Sequence, residues 1–220
     1  MYPPTLLRPK LCALWIAALS CTGLFAVFAE DALIEGGLSP DRRLEIRKVR
    51  LVGGSEKGAY ALHLFNSGTG QGISELHKGG YFSYDSAVEG ACSAYWHSSG
   101  RYVAVSNVER KDSSSLYLFA VEKDIAKKIP MPDYALLALG KIKEGKQGFY
   151  DGPQVRWPEW IDDQLRFRVF FRVPPAKRTQ KQPPTEYSAF ATVVPVYQNG
   201  EYSAELQKLS HPLRTEGPGE

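Results

Sequence analysis

Apolar and polar residues alternate in several stretches of this chain, and a period of two marks a strand with one buried face. The pattern predicts strands over Leu44–Leu51, Tyr60–Phe65, Cys92–Trp96, Tyr102–Val108, Ser115–Val121, Gln164–Val173, Tyr187–Tyr197 and Glu201–Leu209. Gln198-Asn199-Gly200 separates the last two. Asn-Gly accepts positive φ at both residues, so it predicts a tight hairpin there. One helix is expected, opened by Pro132-Asp133, carried by Ala135 to Leu139 and closed at Gly145, with Gly140 as a weak point. Gly53–Gly58 reads as a hairpin loop, and the proline-rich, basic Pro174–Pro184 as an exposed loop. The fold class expected is all-β, mostly antiparallel, with one short helix.

The first residues follow a different pattern. Arg8 and Lys10 precede an apolar run from Leu11 to Phe28, which ends Val27-Phe28-Ala29 before Glu30-Asp31. A positive start, an apolar middle and a small residue at the cut describe a secretory signal. Residues 1–29 are therefore read as a signal peptide, 30–210 as a single β-rich domain and 211–220 as a flexible tail. Two alternatives stay open: an uncleaved membrane anchor, and a lipoprotein attached at Cys21. All three place Glu30 onward outside the cytoplasm, secreted or periplasmic. About 190 residues can build a core without disulfide staples.

Charge and cysteine narrow the function. The formal net charge of +3 falls to about +1 once Arg8 and Lys10 are removed. No global basic field remains to attract nucleic acid, and membrane contact is expected only through the N-terminal segment. Cys12 and Cys21 lie in that segment, leaving Cys92 between Ala91 and Ser93. A lone cysteine in that setting reads as a small buried residue.

A repeat of about 60 residues runs through the domain. Its middle copy is Ser98-Ser99-Gly100-Arg101-Tyr102-Val103-Ala104-Val105 followed by Leu116-Tyr117-Leu118-Phe119. An earlier copy is Ser39-Pro40-Asp41-Arg42-Arg43-Leu44-Glu45-Ile46 followed by Leu62-His63-Leu64-Phe65. A looser third begins Trp160-Ile161-Asp162-Asp163-Gln164-Leu165 and continues into the Tyr187–Leu206 hairpin. Trp96 to Val105 resembles the W-S-P-D-G-R-Y-V-A-V turn and strand of bacterial extracytoplasmic proteins with WD-type and Tol-type β-propeller repeats. His97, Ser98 and Ser99 replace Ser, Pro and Asp there, and Gly100 is kept. The resemblance implies propeller-like repeated sheets and a protein-interaction role. Three copies are fewer than the four to eight blades that roughly close a ring. An open set of propeller-like sheets, or a β-sandwich of similar hairpins, is therefore expected.

Catalytic motifs are sparse. His63, His77, His97 and His211 show no i, i+4 spacing and no HExxH, so neither a metal site nor another cofactor is expected. There is no G-x-S-x-G, and Ser98-Ser99 beside His97 reads as a turn. The candidate ligand-binding residues are Trp157, Trp160, Tyr150, Asp162 and Asp163. Indoles beside carboxylates suit a sugar or a peptide, and Tyr95-Trp96-His97 joins them if the repeats stack their turns. Trp96 and Trp160 can equally fill matching core positions, and Asp162-Asp163 can be the turn into the next strand. The role expected is a non-catalytic module that binds an extracytoplasmic protein or glycan, or serves in an envelope assembly. The alternative is a glycosidase-like hydrolase using Glu159 with Asp162 or Asp163.

Overall fold

The structure, a computed structural model, describes residues 32–50, 60–80, 92–110, 113–123, 125–142, 146, 148–175 and 183–215. The segment expected to be a signal peptide, the Gly53–Gly58 stretch and most of the Pro174–Pro184 stretch, both expected to be loops, lie outside the described residues. Among the described residues the protein is all-β with one short helix, and twelve of the thirteen strands form three consecutive four-stranded meanders. The first sheet is β1 (Ala32–Leu38), β2 (Leu44–Arg50), β3 (Tyr60–Asn66) and β4 (Gly72–Gly80). The second is β5 (Cys92–Trp96), β6 (Tyr102–Arg110), β7 (Ser113–Glu122) and β8 (Ile125–Ile129). The third is β9 (Gln154–Ile161), β10 (Gln164–Val173), β11 (Thr185–Gln198) and β12 (Glu201–Leu209). Within each meander neighbours are antiparallel. One parallel bridge, Glu35 to Ser93, joins β1 to β5. Repeated four-stranded antiparallel sheets set side by side are the propeller-like arrangement.

All eight strands expected from alternation are present, with ends shifted by a few residues at most. The repeat falls on the sheets: the first two copies begin at the turn between a sheet's first and second strands, and the third begins at the end of β9, just before that turn. Equivalent backbone bonds close two of these turns, with Ser39 N–H donating to Leu44 O (2.8 Å) and His97 N–H to Tyr102 O (2.9 Å). Asn199 and Gly200 both take positive φ, 52° and 85°, between the paired Gln198 and Glu201.

Two expectations need correction. The helix α1 spans only Tyr134–Leu139, and Gly140 rather than Gly145 caps it. Glycine is a poor helix former, and its N–H here bonds Leu136 O in the closing turn. In the tail, Leu213–Arg214 forms a short β13 against β11.

Two apolar clusters hold the sheets together, and the second sheet feeds both. Alternation sends Val103, Val105 and Phe119 toward Ile46, Leu62 and Leu64 of the first sheet. It sends Ala104, Leu116, Leu118 and Ala120 toward Leu165, Phe167, Val169 and Phe171 of the third. The helix adds Ala135, Ala138 and Leu139 to that second cluster. Two indoles staple the sheets at matching positions. Trp96 Nε1 donates to Gly37 O of the first sheet (3.2 Å), and Trp160 Nε1 to Tyr95 O of the second (2.8 Å).

Cys92 sits in the first of these interfaces, buried, with its Sγ 3.2 Å from Asn107 Oδ1. Burial pushes its thiol up to about 11, against the opposing pull of the Lys48 charge. The reactive thiolate is therefore scarce near neutrality. The folded chain of residues 30–220 is expected to leave an aromatic disulfide reagent unreacted at about pH 8, with one equivalent, from Cys92, released on denaturation. Rapid reaction of the native protein would contradict this placement.

Candidate functional site: a cleft beneath Trp157

The first strand of the third sheet carries the distinctive local feature. Arg156 pairs with Arg168 and Glu159 with Arg166, so Trp157 and Pro158 together oppose one residue, Phe167. That extra residue is a β-bulge, a device that re-aims a side chain. Trp157 adopts φ 54°. An aromatic residue in the left-handed region, placed before proline, is strained by about 1–3 kcal/mol. The strand is held on either side. Ser114 Oγ accepts from Val155 N–H (2.7 Å) and lies 3.2 Å from Val155 O. The Trp157 ring meets Phe170 edge-on at 5.6 Å.

The bulge turns Trp157 outward, 62% exposed, onto the rim of a cleft of about 600 Å³. The cleft lies between the second and third sheets and reaches β1. Its walls include Glu35, Ser93, Tyr95, Ser106, Gln154 and Arg156. Ser93 Oγ donates to Glu35 Oε2 at 2.9 Å. Burial, aided by the Glu35 charge, raises the Tyr95 phenol above its ordinary value against the Ser93 hydrogen bond, keeping it a neutral donor. The site thus combines an indole face with a carboxylate, a guanidinium, an amide and hydroxyls.

The five candidate residues do not form one cluster. Tyr150 is 59% exposed, its N–H donating to Arg172 O (2.8 Å) and its ring under the Arg172 guanidinium at 5.8 Å. Trp160 is half-buried on the opposite face from Trp157, within 5.1 Å of the His97 ring and 6.1 Å of Tyr102. Asp162 and Asp163 form the exposed turn between β9 and β10, with Asp162 at φ 51°. Strand alternation, reset by the bulge, separates the two indoles. The turns do meet: His97 Nε2 lies 3.0 Å from Asp162 O and 3.4 Å from Asp163 Oδ1.

Ser99, His97 and Asp163 are therefore contiguous, but their wiring is that of a turn. Ser99 N–H donates to His97 Nδ1 (3.2 Å), and Ser99 Oγ lies 2.7 Å from the same nitrogen. Arg101 N–H donates to Ser99 Oγ (3.2 Å). With Nδ1 accepting, Nε2 carries the proton and donates to Asp162 O, an assignment made from the network. Each link closes the turn or ties it to the third sheet, and Ser99 does not line the cleft beneath Trp157. Glu159 is exposed and also stands off the cleft. Among the described residues, no three His, Cys, Asp or Glu side chains are placed to hold a metal ion.

Glu35, Ser93, Gln154 and Arg156 are site residues that the sequence reading did not single out. They come from three strands far apart in the chain, and no spacing links them.

The fold class is a propeller-like set of antiparallel sheets, and it stands on the strand pairing itself. No protein-family model matches the chain, and no curated protein matches it significantly. Among solved structures it is similar to one from a structural and mechanistic study of two prolyl endopeptidases. The identity is 13%, the match covers 84% of this chain and 30% of that one, and the TM-score is 0.36. The chain spans less than a third of that protein's length, and so loose a likeness carries no argument about activity.

Proposed function

We propose that the chain is a non-catalytic binding module acting outside the cytoplasm, and that the cleft beneath Trp157 takes a glycan. The observation that carries this is the strained bulge at Trp157, which holds an indole in the open at the mouth of a polar cleft. Strain of this kind persists where the surroundings impose it, and it gathers at ligand sites. An indole face packs on sugar C–H groups, while Glu35, Gln154, Arg156 and the serines offer the partners that hydroxyls need. Action outside the cytoplasm rests on the Arg8 to Ala29 pattern. The three meanders and the Trp96–Val105 turn support a place among bacterial exported proteins with WD-type or Tol-type propeller repeats.

A protein partner is the second reading. Trp157, Tyr150 and the neighbouring arginines are the residue types that dominate protein hot spots. The hydrolase reading has less support. Glycosidases flank the bond with two carboxyls, and Glu35 is the one carboxylate among the described residues of the cleft.

A glycan panel probed with the mature chain, residues 30–220, tests the proposal. Trp157→Ala is expected to weaken any retained glycan at least about tenfold while leaving the thermal midpoint nearly unchanged. Undiminished retention by that variant would move the site away from the cleft. Retention of envelope protein alone would favour the second reading.

A further inference from the structure

Arg156 and Arg168 are direct register partners on the outer face of the third sheet. Like charges placed opposite each other across a strand pair repel. The next arginine along, Arg172, has Asp151 as its ion-pair partner. Arg156 and Arg168 have no carboxylate at ion-pair distance among the described residues. Their polar contacts are neutral: Arg156 Nη2 donates to Gln154 Oε1 and Arg168 Nη2 to Ser188 Oγ, each at 2.7 Å. The buried Arg168 Nε has no partner.

Aromatic rings hold the two cations together. Their guanidinium carbons lie 4.7 and 4.8 Å from the Phe170 ring centroid. Arg168 also lies 5.2 Å from Phe190 and 5.6 Å from Trp157. Cation–π attraction fixes the arginines but leaves their charges uncompensated. Arg156 and Trp157 also line the cleft, so cleft and charge pair are continuous.

We propose that the ligand of the Trp157 cleft is an acidic glycan, whose carboxylate is taken by Arg156 and Arg168 together. This rests on the glycan reading above. A planar guanidinium fork matches a carboxylate in two parallel hydrogen bonds. Trp157 and Phe190, 62% and 58% exposed, stand on either side of Arg168 to receive sugar faces.

The test is calorimetric titration of the mature chain with galacturonate, glucuronate and mannuronate hexamers, each paired with its neutral methyl ester. Neutral hexoses and oligoglutamate complete the set. At least one acid form is expected to bind about tenfold or more tighter than its ester. That preference should shrink between about 50 and about 300 mM salt. It should be lost in Arg156→Gln, whose exposed side chain leaves the fold intact, and in Arg168→Met once circular dichroism shows it folded. Equal affinity for acid and ester, unaltered in Arg156→Gln, would overturn the acidic assignment and leave the glycan reading standing. Binding of no sugar, acidic or neutral, would remove both. Oligoglutamate binding as tightly as the best uronate would overturn the sugar and assign the arginine pair to an acidic protein segment.

Discussion

Gly36→Ala is expected to destabilise the protein by about 3–5 kcal/mol, a large share of the roughly 5–15 kcal/mol that holds a typical domain folded. Gly36 has φ +63°, and a Cβ there would lie 2.2 Å from the carbonyl oxygen of Ala94. The obstacle is backbone of the adjacent strand, so no side chain can swing aside. Two costs combine: left-handed strain in a residue with a Cβ, and displacement of β5 from β1 where Glu35 bridges Ser93. Those two residues also line the cleft, so a partly folded variant is expected to lose ligand as well. Gly100→Ala is the control. Its φ is +69°, but nothing lies within 4 Å of the added carbon, so it should cost only about 1 kcal/mol. Urea denaturation midpoints compare the pair, and equal losses would contradict the close approach at Gly36.

Phe167→Ala is expected to cost about 3–5 kcal/mol. The ring is 1% exposed in the cluster between the second and third sheets, and Tyr134 of the helix meets it edge-on at 4.8 Å. Removing it leaves a cavity bounded by two sheets and a helix, none free to collapse. It is also the residue that the Trp157–Pro158 bulge opposes. Phe190→Ala removes the same ring from the other face of the same sheet, where Phe190 is 58% exposed. That change should stay within about 0.5 kcal/mol. Thermal unfolding separates the two, and similar shifts would invert the assigned faces of the third sheet.

Strands with clean alternation and a recognisable turn were legible in the residues. Gln164–Val173 places Leu165, Phe167, Val169, Phe171 and Val173 on one face, and its predicted limits match β10. The strands that alternation alone did not mark each break that pattern. β1 contains Gly36-Gly37, β4 begins and ends in glycine, β8 carries Lys127-Lys128, and β9 contains Pro158 and the bulge. Alternation cannot register an inserted residue, so the pattern marks no strand over the segment that aims Trp157. The candidate site was legible only as residue types, without their grouping. Trp157 and Tyr150 are exposed, Trp160 packs against the core, and Asp162-Asp163 turn the chain. Arg156 and Arg168 become neighbours only through strand register, which no local pattern encodes.

The indole staples give the three sheets a direction. Trp96 donates backward to the first sheet and Trp160 backward to the second. The sheets are therefore expected to behave as a linear array with nearest-neighbour coupling, in which, among the described residues, the middle member alone contributes to both apolar clusters. Opening at either end breaks one interface, whereas loosening the second sheet breaks both. Hydrogen exchange should accordingly be slowest in β6 and β7, with the first and third sheets exchanging through separate, cheaper openings. The cleft spans the junction between the second and third sheets. A bound ligand would then bridge two units that otherwise open apart, raising protection across the third sheet while leaving β3 and β4 at their unliganded rates.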